Sequence, residues 1–138
     1  LTPISLIGSV DQHSFLQLII EGPLNKTVTF MHIEHSEDHL MIPELSLKHL
    51  EKSDFVNGKS FNCLINAQCQ ATMQSVVQSG VSVDEIVWKQ IDEGAVGEMI
   101  LYYELLTSLS GALFEINTYD QPGVEIGKKI LGEYFLNQ

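Results

Sequence analysis

The chain has 138 residues, of which 44% are hydrophobic and 18% charged, so it can form one folded domain and is not wholly disordered. Its formal net charge of −11, with seven Lys and Arg, argues against a nucleic-acid partner or an anionic membrane surface, since both need clustered basic residues. No apolar run approaches the length of a membrane span. Cys63 and Cys69 are six residues apart on one predicted helix, so their side chains point in different directions and a disulfide between them is not expected. We therefore expect a reduced, cytoplasmic protein.

The first part of the chain predicts strands alternating with helices. The short apolar run at residues 4–7 predicts a buried strand. Asp11 stands where an N-cap belongs, and apolar residues at helical spacing predict a helix from there to Gly22. β-branched and aromatic residues predict a second strand over Thr27–Ile33.

The rest of the chain predicts a polar excursion followed by a further helix, strand and two helices. The excursion covers residues 35–57 and contains a short predicted helix at 45–50. The later elements are predicted as a helix at 60–79, a strand at 85–91, a helix at 95–114 and a helix at 122–135. Gly111, between two small residues, is small enough to let another backbone approach closely. The alternation predicts an α/β fold with few parallel strands flanked by helices and a C-terminal helix.

The stretch 111–128 carries one candidate site. Asp120 or Gln121 is expected to cap a helix whose first residue is Pro122. Gln121 and Lys128 are seven residues apart, which places them on the same helix face, about 10 Å apart along the axis. An amide and a mobile ammonium on one face can hold a polyhydroxylated ligand at two points. The alternative is a capped surface helix with a solvated lysine.

Residues 8–17 carry the second candidate site. His13 takes the second position of the predicted first helix, and histidine is the side chain most often used as acid and base near neutral pH. The alternative is a partly buried histidine at a helix start, bonded to backbone.

Both stretches resemble the glucose-6-phosphate isomerase family. Residues 8–17 are similar to the family's segment ending in His-x-x-x-Gln. The resemblance covers essentially the whole chain, is strong at both ends and is weak over residues 35–50. The family's C-terminal signature matches at Gly111, Leu113, Phe114, Tyr119, Asp120, Gln121, Gly123, Val124, Glu125 and Lys128.

The resemblance implies a fold and a set of roles. Residues 1–138 would form the C-terminal segment of a flavodoxin-like sugar-isomerase (SIS) domain together with its tail helix. Gln121 would contact the sugar, Lys128 would reach the ring oxygen and help to open the pyranose, and His13 would act as acid and base in ring opening. A sugar phosphate and a second copy of the chain are the implied partners, and no cofactor or metal is implied.

Other parts of the family's site have no match in the chain. The glutamate that moves a proton through a cis-enediol belongs to earlier sequence, as do the phosphate-binding Ser/Thr loop and an arginine, and Glu21 lies on the wrong side of His13 to replace the glutamate. With Leu1 as first residue, this predicts a C-terminal fragment of an enzyme that interconverts glucose 6-phosphate and fructose 6-phosphate, inactive alone. The alternatives are a non-catalytic sugar-phosphate-binding SIS module and, disfavoured by the acidic charge, a sugar-phosphate regulator fused to a DNA-binding segment.

Residues 32–39 contain a cluster that imitates a metal site. The cluster lacks the helical i, i+4 pairing with a general base that marks zinc hydrolases, and it falls where a strand runs into a loop. We therefore predict a solvated acidic loop. Its members are His32, His35 and His39, with Glu34, Glu37 and Asp38.

Overall fold

The computed structural model describes residues 2–36 and 39–136, and the chain divides into two compact units, Leu1–Ile91 and Asp92–Gln138. The described part of the first unit holds α1 (Gln12–Glu21), β1 (Thr27–Ile33), a 3-10 helix (Glu51–Val56), α2 (Phe61–Gln78) and β2 (Ser82–Trp88). The described part of the second unit holds helices α3 (Glu93–Leu113) and α4 (Pro122–Leu136). These elements confirm the predicted α/β class with parallel strands and a C-terminal helix. That all 138 residues form one domain segment stays a prediction.

A parallel pair of strands organises the first unit. β1 pairs with β2 along its whole length, from Thr27 opposite Ser82 to Ile33 opposite Trp88. The pairing continues past the strand ends, since the Glu34 amide donates to the Trp88 carbonyl at 2.8 Å. Parallel strands cannot be joined by a tight hairpin, and here the connection includes α2.

Helix α2 has caps at both ends. The Ser60 hydroxyl accepts a hydrogen bond from the Cys63 amide at 3.1 Å, which is the N-cap geometry. The helix ends where Gly80 takes a positive φ of 83°, a conformation that glycine adopts without steric cost. In between, Val76 is fully buried, and Asn62 and Asn66 both donate to the Glu34 carbonyl at 3.3 Å. The predicted helix at 60–79 is therefore confirmed.

A polar network joins β1, β2 and α2. His32 Nε2 lies 2.7 Å from Glu85 Oε1, and Gln70 Nε2 of α2 donates to the same oxygen at 3.0 Å. Together these hydrogen bonds lower the pKa of Glu85, with the larger effect from His32. Burial, followed by the nearby Glu85 carboxylate, raises the pKa of the Cys69 thiol. The network thus stabilises an ionised carboxylate and a neutral thiol where the helix meets the sheet.

The strand predicted at residues 4–7 is absent. These residues are exposed and have no ladder partner among the described residues, whose sheet consists of β1 and β2. Both backbone groups of Ile7 bond to Asp11 instead, the amide to Oδ2 at 2.7 Å and the carbonyl to the Asp11 amide at 2.9 Å. The apolar run is therefore irregular, exposed chain that leads into a turn at residues 8–10, because a strand requires a neighbour for its backbone.

Two other predicted boundaries are wrong. The short helix expected at 45–50 lies instead at Glu51–Val56, because His49 has a positive φ of 75° that a right-handed helix cannot include. β2 spans Ser82–Trp88, three residues before the predicted strand at 85–91. Polar residues at the start of β2 interrupt its apolar pattern, so the sequence predicted a later start for the strand. One of them, Asp84, accepts a 2.7 Å hydrogen bond from the Thr29 hydroxyl across the ladder.

Helix α3 is apolar on most of its surface and remains largely exposed. It begins at its N-cap Asp92, whose side chain accepts from the Ala95 amide at 2.8 Å. Nevertheless, none of the described helices combines the length and apolarity that a bilayer crossing requires. A helix of this composition is normally covered by other protein. Its exposed large side chains are Val96, Ile100, Leu101, Tyr102, Tyr103, Leu105, Leu106, Leu109 and Leu113.

Val76→Ala tests the core of the first unit. Val76 is 0% exposed, so removing two methyl groups should lower the free energy of unfolding by about 2 kcal/mol. Val77→Ala is the matched control, because Val77 is 54% exposed on the same helix and its truncation should change stability by less than about 0.5 kcal/mol. Urea unfolding followed by circular dichroism measures both. Equal losses for the two variants would contradict the assigned core.

Glu85→Gln tests the polar network through its pH dependence. Because folding lowers the pKa of Glu85, the carboxylate contributes stability above its unfolded-state pKa, and that contribution is lost as pH falls through the folded-state value. The side chain is 35% exposed, so the contribution is screened and small. Unfolding midpoints of the two proteins should differ near pH 7 and converge in acid, as the pH falls below the ordinary glutamate pKa of about 4.3 and through the lower folded-state value. A difference that is independent of pH would contradict this role.

Candidate functional site

The first candidate element is the start of α1. The helix begins at Gln12 with Asp11 as N-cap residue, as predicted, but the Asp11 side chain makes no cap hydrogen bond. It accepts from the Ile7 amide instead, so the preceding turn is closed against the helix start. Gln12 Nε2 donates to Thr72 Oγ1 at 2.8 Å, which ties this end of α1 to α2. His13 therefore stands at the second helical position of an anchored helix end.

The His13 side chain is exposed and has no hydrogen bond or ion pair within the described residues. The alternative of a partly buried histidine bonded to backbone is thus not what the described part of the chain shows. Gln17, the last residue of the matching segment, donates to Glu21 one turn further along at 3.1 Å. The imidazole is consequently open to a ligand, while its helix is held at its start by the hydrogen bond between Gln12 and Thr72.

The second candidate element is the start of α4. Gln121 directly precedes Pro122, the first helical residue, and its carbonyl accepts from the Val124 amide at 3.0 Å. Lys128 lies seven residues after Gln121 on the same helical stripe. Its ammonium donates to Glu125 Oε1 at 2.6 Å. The second unit therefore keeps Gln121 directly before α4 and Lys128 on the helix, with Glu125 between them in the sequence. That the amide and the ammonium share one face stays a prediction.

The turn between α3 and α4 is built around Gly111. Gly111 is buried, and a Cβ atom at this position would collide with the Thr118 side chain. The Gly111 carbonyl accepts from the Ile116 amide at 3.0 Å, and Glu115 in this turn has a positive φ of 56°. The close approach at Gly111 is made by the Thr118 side chain, whereas the sequence predicted the approach of another backbone. It sets the path of the chain from α3 to Gln121.

The two elements belong to different units: His13 lies in the first, and Gln121 and Lys128 lie in the second. The sequence patterns identified the positions of all three residues on their helices. They did not identify Glu125 as the partner of Lys128, although its i, i+3 spacing from Lys128 was a visible signal. Thr118, which packs against Gly111, carried no signal in the sequence.

The histidine-rich stretch is only partly described. Glu37 and Asp38 of the predicted acidic loop lie outside the described residues. Within the described residues, no three His, Cys, Asp or Glu side chains are grouped so that they could hold a metal ion. His32 contacts Glu85, with 2.7 Å between His32 Nε2 and Glu85 Oε1.

Comparison with known proteins identifies the family. The phosphoglucose isomerase family model matches residues 5–135. The glucose-6-phosphate isomerase of Campylobacter jejuni is 50% identical over 131 residues, which are 95% of this chain and 32% of that protein. A probable glucose-6-phosphate isomerase of Methanococcus maripaludis is 33% identical over 132 residues, 96% of this chain and 29% of that protein.

A solved structure supports the same relationship. The crystal structure of a hypothetical protein from Thermus thermophilus superposes with a TM-score of 0.79 at 31% identity, covering 93% of this chain and 30% of that one. The chain belongs to the phosphoglucose isomerase family. It spans about 30% of the length of the relatives it matches.

Gly111→Ala tests the turn that places Gln121. The added methyl group must displace Thr118, and we expect a loss of about 1–3 kcal/mol in the free energy of unfolding. Gly97→Ala on the same helix is the control: nothing lies within 4 Å of its Cβ position, so it should gain about 0.5–1 kcal/mol through helix propensity. Thermal unfolding distinguishes the two. A stabilised Gly111→Ala would show that the close approach does not constrain the turn.

Proposed function

We propose that this chain supplies the ring-opening residues of a glucose-6-phosphate isomerase, which interconverts glucose 6-phosphate and fructose 6-phosphate. The match to the family model over residues 5–135, which includes both candidate elements, is the observation that carries the proposal. The relatives named as glucose-6-phosphate isomerases are about three times longer, so this chain would hold one part of the site.

His13 is proposed to transfer the proton in ring opening. When the pyranose opens, the bond between C1 and the ring oxygen breaks, the anomeric hydroxyl loses a proton and the ring oxygen gains one. A single imidazole can accept the proton of the anomeric hydroxyl and then donate it to the ring oxygen. The exposed ring of His13, on a helix end fixed by Gln12 and Thr72, suits this task.

Gln121 and Lys128 are proposed to hold the sugar from α4. The Gln121 amide can donate to and accept from sugar hydroxyls. The Lys128 ammonium would donate a hydrogen bond to the ring oxygen, where negative charge develops as the bond breaks. Both side chains are exposed, with Gln121 directly before α4 and Lys128 near the middle of the helix, in line with joint contact to one ligand.

The remaining parts of the proposal concern partners and setting. The described residues include few basic side chains, so we assign the phosphate group of the substrate to residues beyond those matched here. The net charge of −11 supports a protein without a nucleic-acid partner. By family likeness we propose a homodimer of SIS-domain subunits in the cytoplasm. The proposed proton transfer by His13 in ring opening requires no metal or cofactor.

A chimera tests the proposal. Replacing the matched region of the Campylobacter jejuni enzyme with this chain should give an active isomerase, because the two share 50% identity over 131 residues. His13→Asn and Lys128→Gln in the chimera should each lower kcat for glucose 6-phosphate by about 10² or more, the usual range for proton transfer and charge stabilisation. Coupled assay of fructose 6-phosphate formation measures the rates.

The control is Lys129→Gln, which removes the neighbouring cation of α4 and should leave kcat unchanged. A chimera that unfolds cooperatively but has no activity would contradict the proposal and favour a non-catalytic sugar-phosphate-binding module. Parental activity in both His13→Asn and Lys128→Gln would show that the roles are misassigned. The isolated chain, which has no match to the family's glutamate, should show no turnover, and turnover by it would refute the assignment of that base.

A further inference from the structure

We infer that Glu125 is a positioning residue for ring opening: its carboxylate holds the Lys128 ammonium at the Gln121 end of α4. The inference rests on the proposed function, because it concerns how Lys128 reaches the ring oxygen. The observation behind it is the ion pair between Lys128 Nζ and Glu125 Oε1, with a separation of 2.6 Å.

The geometry of the helix gives the pair a direction. Side chains of an α-helix lean toward its N-terminus, so a lysine paired with a residue three positions earlier is drawn to that end. Gln121, Glu125 and Lys128 are spaced i, i+4 and i+7, which is one continuous stripe of the helix surface. The carboxylate therefore stands between the amide and the ammonium. It brings the ammonium nearer to Gln121 than the two-turn spacing alone would.

The pair has little value as a stabilising contact. The Lys128 and Glu125 side chains are 67% and 55% exposed, and exposed i, i+3 pairs contribute weakly because water screens them. A lysine side chain nevertheless has several freely rotating bonds, and an ammonium in many positions is a poor partner for one oxygen atom. The pair restricts those rotations before the substrate arrives, which lowers the entropy cost of aligning the donor.

The ammonium remains able to bind a sugar while it is paired. It carries three N–H donors, of which the bond to Glu125 uses one. Two donors are left for the ring oxygen and a neighbouring hydroxyl. Exclusion of water by the bound substrate would strengthen the ion pair at the same time, since the local dielectric constant falls.

Glu125→Gln in the Campylobacter jejuni chimera tests the inference. We expect kcat for glucose 6-phosphate to fall about five- to tenfold with little change in KM, because a misaligned donor weakens the transition state more than the bound ground state. A 4,5-dideoxy analogue of glucose 6-phosphate cannot close a furanose or pyranose ring, and its isomerisation should not be slowed. Glu98→Gln on α3 is the matched charge control and should behave like the parent.

A reversed pair separates positioning from a structural role. Glu125→Lys combined with Lys128→Glu restores an ion pair and should keep the melting temperature, but kcat for the cyclic substrate should stay at the level of Lys128→Gln. Recovery of activity in the reversed pair, or an unchanged kcat in Glu125→Gln, would overturn the inference. An equal slowing of the acyclic analogue would overturn it as well, since the effect would then lie outside ring opening.

The same assays distinguish failure of the inference from failure of the proposed function. If Lys128→Gln loses activity and Glu125→Gln does not, only the positioning role is lost. If Lys128→Gln is fully active, the proposed role of the lysine fails first. Should the chimera not unfold cooperatively, the residues of the unmodified Campylobacter jejuni enzyme that align with Glu125 and Lys128 are substituted, and the same outcomes decide.

Discussion

Parallel pairing of β1 with β2 is the constraint on which the first unit depends. Two parallel strands require a long connection, and α2 forms the helical part of it. The N-cap at Ser60 and the positive φ of Gly80 set the two ends of this helix. Once α2 lies against the sheet, Thr72 is in place to receive Gln12 and fix the start of α1. The exposure of His13 thus follows from a chain of contacts that begins in the strand ladder.

In the second unit, a tight turn instead of a strand ladder positions the start of α4. No sheet fixes α4 there; the described contacts are those of a tight turn, in which Gly111 accommodates Thr118 and the following residues lead directly to Gln121. A helix holds side chains at fixed separations along one stripe without a large core. In both units, therefore, a short polar or steric contact at a helix end places the side chain of interest.

Sequence patterns predicted the long helices and β1, because caps and apolar periodicity are local signals. The roles of His13, Gln121 and Lys128 rest on the family resemblance and stay predictions. The sequence patterns failed where the outcome depends on distant partners. Residues 4–7 have strand composition, yet a strand exists only beside another strand. Polar Ser82 and Asp84 obscured the start of β2, since the stabilising contact of Asp84 comes from Thr29, far away in the chain. The pairing of Glu125 with Lys128 was readable from spacing but required the direction of both side chains.

The exposed apolar surface of α3 has a consequence for handling the chain in solution. Contact between such surfaces releases ordered water, and this entropic driving force strengthens as temperature rises from the cold. Warming a concentrated sample of the chain should therefore promote association of folded molecules below the temperature at which the helices unfold. A charged residue placed at Leu109, which is 64% exposed, would oppose that association by keeping the surface hydrated.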